Sequence, residues 1–204
     1  MSFPLALLNS GGAPVVPKTL VLELLFNGAD GSTIIDSTGR HTPSLSPSGT
    51  RAILNNQLNL AGNGFIRADA QSTTSADFDF SGRDFEIECK VTYTSGSYAW
   101  AHTANDNSFG LCLKFASANT IEIRSDSNQL MMQYNAPTSF VGRQAKINMS
   151  LTGTNYSLKV DDVEVATISS TGYTIGSNGF VIGAIPYSST MTGLIDDFRV
   201  WNTI

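Results

Sequence analysis

The chain has 204 residues, 41% of them apolar and only 14% charged, with a formal net charge of −5. Roughly a quarter charged is usual for a globular domain; here Ser, Thr, Asn and Gly fill the difference, so the surface hydrogen-bonds more than it repels. The 12 Lys and Arg residues stand singly along the chain, which excludes a phosphate-binding footprint and hence nucleic acid as a partner, and no apolar run approaches the roughly 20 residues that insert a helix into a membrane.

Residues 1–18 form the first unit, an extended N-terminal arm. Pro4, Gly11, Gly12, Pro14 and Pro17 break any regular element, while Phe3, Leu5, Leu7 and Leu8 are apolar and read as an assembly arm that docks on a neighbour. With no basic start and with Pro4 interrupting it, this stretch reads poorly as a secretory leader.

Residues 19–204 form the second unit, and their period is two. Phe85, Ile87, Cys89, Val91 and Tyr93 alternate with Glu86, Glu88, Lys90, Thr92 and Thr94. Further runs follow at Leu111–Phe115 and Ile121–Arg124. Ala145, Ile147, Met149 and Leu151, then Tyr156, Leu158 and Val160, again alternate with polar residues. Phe180–Ile182 completes the series. Successive strand side chains point to opposite faces, so each run is a strand with one face in a core. Turn-forming clusters separate the runs, and Val160-Asp161-Asp162-Val163 predicts a tight hairpin, because Asp tolerates left-handed backbone. No segment has a helical period. The expected fold is all-β, an antiparallel two-sheet sandwich.

Three segments carry a family likeness: Leu24-Leu25-Phe26-Asn27-Gly28-Ala29-Asp30-Gly31-Ser32-Thr33 with Asp36-Ser37-Thr38-Gly39-Arg40-His41; Leu58-Asn59-Leu60-Ala61-Gly62-Asn63-Gly64-Phe65-Ile66 with Asp77-Phe78-Asp79-Phe80 and Asp84-Phe85-Glu86-Ile87-Glu88; and Gly193-Leu194-Ile195-Asp196-Asp197-Phe198-Arg199-Val200-Trp201. In this order they resemble the concanavalin A-like lectin/glucanase superfamily, specifically its laminin-G-like (LamG type 3) domains, over roughly residues 20–204. Asn27 stands where the family often has Asp, and Cys89-Lys90 where Ala-Trp is usual. The resemblance implies a jelly roll whose first and last strands, Leu20–Phe26 and Phe198–Trp201, pair, with Gly62 and Gly64 in tight turns.

The same resemblance implies carbohydrate binding and a structural calcium. Tyr98, Trp100, His102, Tyr134, Tyr173 and Tyr187 fall in or beside predicted loops and are the candidate glycan contacts, each equally able to seal the sandwich edge. Asp30, Asp36, Asp77 and Asp196 are the candidate calcium ligands, since calcium takes oxygen donors; hydrogen-bonded structural carboxylates are the competing reading, and Asp196 is placed in the inward register of Phe198 and Val200. Glu86 and Glu88 share a strand face about 7 Å apart, but the next residue on that face is Lys90, so the glucanase triplet of carboxylates is incomplete and no catalytic residue is assigned. His41 and His102 read as exposed loop histidines without a nucleophile motif. Cys89 and Cys112 lie in separate strands and read as two buried free thiols rather than a bridge or a zinc site.

The expectation is a non-catalytic virion structural protein of a tailed bacteriophage: a capsid decoration, head-fibre or tail-associated subunit, made in the host cytoplasm. Its arm docks on other virion proteins, and its sandwich faces outward as a homo-oligomer toward host-surface carbohydrate. A bacterial extracellular or cell-surface carbohydrate-binding module or adhesin is the alternative, and an active glucanase the third reading.

Overall fold

The strands form where apolar and polar side chains alternate, and they stack into two antiparallel sheets. The computed structural model describes residues 17–26, 34–45, 50–61, 65–69, 75–105, 108–125, 128–170, 178–184 and 190–204; the apolar residues of the arm, Gly62 and Gly64 lie outside them.

In chain order the strands are β1 (Thr19–Leu25), β2 (Pro43–Leu45), β3 (Thr50–Leu54), β4 (Gln57–Ala61), β5 (Ile66–Ala68), β6 (Phe85–Gly96), β7 (Tyr98–Asn105) and β8 (Ser108–Ser117). They continue with β9 (Thr120–Ser125), β10 (Leu130–Asn135), β11 (Gln144–Thr152), β12 (Asn155–Val160), β13 (Val163–Ser169), β14 (Phe180–Ile182) and β15 (Met191–Asn202). Sheet A runs β13-β12-β11-β6-β15-β4-β3, with β1 also on β15; sheet B runs β10-β9-β8-β7-β14-β5-β2. The expected pairing of the terminal strands is present, Thr19 opposite Asn202 and Leu24 opposite Phe198. Asp161 and Asp162 make the expected hairpin, both with positive φ (52° and 66°), the two-residue geometry that matches strand twist. Asn55 and Asn56 do the same between β3 and β4.

The inner faces meet in one core. Phe180 lies at its centre, with ring centroids 5.1 Å from His102, 5.3 Å from Phe198, 5.4 Å from Phe78 and 6.0 Å from Trp100. The contacts with Phe78, Trp100 and Phe198 are edge-on, and such contacts add to the area the rings bury. Phe78 and Phe80 come from residues 75–84, a connection that enters the core rather than running over it. Buried main chain needs partners, and two buried polar side chains supply them. Asn202 donates from Nδ2 to the carbonyls of Asp77 (2.9 Å) and Asp79 (3.1 Å), and His102 donates from Nε2 to the carbonyl of Phe78 (3.0 Å).

Two register shifts decide which residues reach the surface. In β15 the pairing with β6 slips between Ile195 and Phe198, so Met191, Gly193 and Ile195 face inward before the bulge, and Phe198, Val200 and Asn202 after it. In β7 a shift between Tyr98 and Trp100 turns Tyr98 away from the core, onto a small separate cluster with Ala101 and Cys112.

Candidate functional site

Two of the carboxylates singled out as calcium ligands, Asp36 and Asp77, are held by the protein itself. Asp36 is buried, and its two oxygens accept from the backbone N–H groups of Glu23 (2.9 Å), Thr38 (3.1 Å), Arg40 (3.1 Å) and His41 (3.0 Å), and from the Thr38 hydroxyl (2.6 Å). Burial alone would raise its pKa; the donors together outweigh burial and hold the carboxyl below its ordinary value. The segment Asp36-Ser-Thr-Gly-Arg-His is thus a turn wound around one carboxylate, with Gly39 at φ 69°.

The turn presents Arg40 and His41 to Asp77. Arg40 donates to both Asp77 oxygens (2.6 and 2.5 Å), which lowers the Asp77 pKa, and His41 lies between Asp69 (2.7 Å from Nδ1) and Asp77 (3.2 Å from Nε2), stacked on Phe78 at 4.4 Å. Asp36 and Asp77 therefore approach one another through Arg40 and His41, not through a shared cation. Asp196 is elsewhere: the β15 bulge puts it on the outer face, where Gln144 donates to it at 3.4 Å, and not in the inward register of Phe198. Asp30 lies outside the described residues. Five protein donors on Asp36 and a guanidinium on Asp77 do not fit a calcium shell, and among the described residues no group of three His, Cys, Asp or Glu is placed to hold a metal.

The aromatic candidates also separate. Trp100 and His102 are core residues, 1% and 0% exposed, and Tyr98 is buried. None of these three is available to a ligand at the surface. His102 is pushed down to about 4 by burial, against the carbonyls around it, and is neutral at physiological pH. His41 likewise is enclosed, its side chain only 3% exposed. Neither histidine is the exposed loop residue expected from its polar neighbours. Tyr134 on β10 is half-buried against the core edge, and Tyr173 and Tyr187 lie outside the described residues. Cys89 and Cys112 are free and buried, both thiols pushed up to about 12 by burial and so chemically quiet.

What remains is the outer face of sheet A. Arg199 is its hub, 2.8 Å from Glu23, 3.4 Å from Glu88 and 3.6 Å from Asp197. Lys146 bridges Glu88 (3.2 Å) and Asp162 (2.9 Å), Lys90 holds Asp197 (2.7 Å), and Lys18 lies 3.7 Å from Glu86. Glu86 also accepts from Asn148 Nδ2 at 2.6 Å. Glu86 and Glu88, the two carboxylates of strand β6, are thus each tied into this network. Trp201, half-buried, stands on the same face two residues beyond Arg199, opposite Glu86 on one side and Leu20 on the other. Sequence reasoning passed over Trp201 as part of the closing strand; the signal was its alternation with the inward Phe198 and Val200.

No family model and no curated protein matches the chain. Solved structures do. Domain 4 of AbnA, an extracellular GH43 arabinanase from Geobacillus stearothermophilus solved with arabinotriose, matches with a TM-score of 0.67 at 17% identity, over 91% of this chain and 93% of that one. The receptor-binding domain of botulinum neurotoxin type G matches at 0.65 and 15% identity over 89% of this chain, and Trypanosoma rangeli sialidase in complex with the inhibitor DANA at 0.67 and 16% over 91%. The chain spans 47% of the toxin domain and 31% of the sialidase. At these identities the likeness is one of fold: a two-sheet, jelly-roll-like β-sandwich.

Proposed function

We propose that the chain is a non-catalytic carbohydrate-recognition sandwich. The observation that carries this reading is the near end-to-end match to the arabinanase domain solved with arabinotriose. Recognition without turnover is supported by Glu86 and Glu88: a glycosidase needs one carboxyl group as acid and a second as base or nucleophile across the scissile bond, and here each is engaged by neighbouring cations or amides. The test is a glycan array probed with the full chain, followed by analysis of the bound glycans after prolonged incubation. Retention on a defined subset with no cleavage products is expected; cleavage would make the chain an enzyme.

The setting proposed is the virion of a tailed bacteriophage, where the chain serves as a decoration, head-fibre or tail-associated homo-oligomer. Low charge, the laminin-G-like order of motifs and the apolar arm residues Phe3, Leu5, Leu7 and Leu8, which would seat on other virion proteins, support it. Mass spectrometry of particles purified from the source culture is expected to find the chain's peptides at many copies per particle. The match to a domain of an extracellular arabinanase favours the second setting, a secreted or surface-bound module, and absence from particles would move the chain there.

A further inference from the structure

We propose that the outer face of sheet A is the carbohydrate site, that it takes neutral oligosaccharides, and that Trp201 is its stacking platform. This rests on the carbohydrate-recognition reading above and assigns it a place and a sugar class.

The strand registers define two parallel rows across this face. One row runs Trp201, Glu86, Ser150, Ser157 and Thr167, each opposite the next on β15, β6, β11, β12 and β13. The adjacent row runs Glu23, Arg199, Glu88, Asn148 and Lys159. The second row carries long side chains at every position but Asn148. The first has short hydroxyl-bearing ones over its last three strands. The first row is therefore a shallow trough beside a ridge over β11, β12 and β13, two strand spacings or about 10 Å long, continued by Glu86 and ended by the Trp201 indole.

Its chemistry suits a sugar. The indole offers a flat apolar surface to one face of a pyranose or furanose ring, in the way amphipathic aromatics serve interfaces. Glu86, fixed by Asn148, accepts from sugar hydroxyls, and Ser150 both donates and accepts. The charge balance selects the class. Lys18, Lys90, Lys146, Lys159 and Arg199 face Glu23, Glu86, Glu88, Asp162, Glu164, Asp196 and Asp197, five cations against seven carboxylates, so the face carries no positive excess. The lysines and the arginine of the ion pairs are already shared among carboxylates. A sialylated or uronic-acid glycan would meet net repulsion here; a neutral one meets none.

The test uses the full chain on an array carrying arabino-, xylo-, gluco- and galacto-oligosaccharides beside sialylated counterparts. Trp201→Ala and Ser150→Arg, the second filling the trough without touching the core, are each compared with the parent after circular dichroism shows the sandwich intact. Binding to neutral glycans that falls at least tenfold in both variants, with Trp201→Phe retaining part of it, is the expected result. Should Trp201→Ala fail to fold, Ser150→Arg decides alone. Neutral-glycan binding unchanged in the folded variants would overturn this site and leave carbohydrate recognition standing. Binding confined to sialylated spots would overturn the sugar class. No binding by the parent chain would overturn the recognition reading itself and this site with it.

Discussion

Asp36→Ala is expected to lower the stability of the sandwich by about 3 kcal/mol, the range in which buried polar networks fail. The side chain organises four backbone N–H groups and one hydroxyl. Its removal leaves those donors in a site that is only 3% exposed, with no acceptor of the right shape. The turn also sets Arg40 and His41 against Asp77, so the damage spreads to residues 75–84 and the end of the core they fill. Asp36→Asn keeps the shape and one acceptor oxygen, and is expected to lose less. Urea denaturation followed by circular dichroism checks both. A loss under about 0.5 kcal/mol for the alanine variant, typical of surface sites, would mean that water replaces the carboxylate and that the turn is not a structural post. The carboxyl's depressed pKa gives the sign of its pH dependence. Its contribution is present above the unfolded-state value near 3.8 and is lost as pH falls through the lower folded value, so it belongs to strongly acid conditions.

The milder acid range belongs to His102. Burial pushes its pKa down from 6.5 to about 4, so the folded protein keeps the imidazole neutral while the unfolded chain protonates it. Stability is unaffected by this group above pH 6.5, falls between pH 6.5 and 4, and has lost on the order of 3 kcal/mol at the lower end. His102→Gln retains a donor for the Phe78 carbonyl but cannot take up a proton. It is expected to be somewhat less stable at pH 7 and to lose most of the slope between pH 6.5 and 4. Thermal unfolding of the two proteins across that range is the measurement. An unaltered slope in the variant would place the proton uptake on another group.

Much of this architecture is legible in the residues. The alternation of β6, β11 and β12 marks their inner faces, and the Asp161-Asp162 hairpin and the pairing of β1 with β15 follow from turn chemistry and motif order. The candidate sites are less legible, for two physical reasons. A bulge inserts one residue and reverses the phase of everything beyond it, which moved Asp196 outward and Tyr98 off the core without a mark in the sequence. Burial of polar side chains depends on partners far along the chain: His102 and Asn202 are inside because the carbonyls of residues 77–79 need donors there, 24 and more than 120 residues away. Yet Tyr98-Ala99-Trp100-Ala101-His102 did contain a clue. Aromatics alternating with alanine place Trp100 and His102 on one face, and the larger face of such a strand packs inward.

The position of β15 has a consequence for how the protein is made. It joins β6 along one edge and both β4 and β1 along the other, so the middle of sheet A is contributed by the last strand of the described chain. As the ribosome extrudes the polypeptide, β1 waits for a neighbour that emerges more than 170 residues later, and β3–β4 waits unattached to β6. The half-sheets on either side expose open edges during that interval, the condition that invites off-pathway association. Closure then comes as one late, long-range step once β15 has emerged, and folding of this topology is slow for its size.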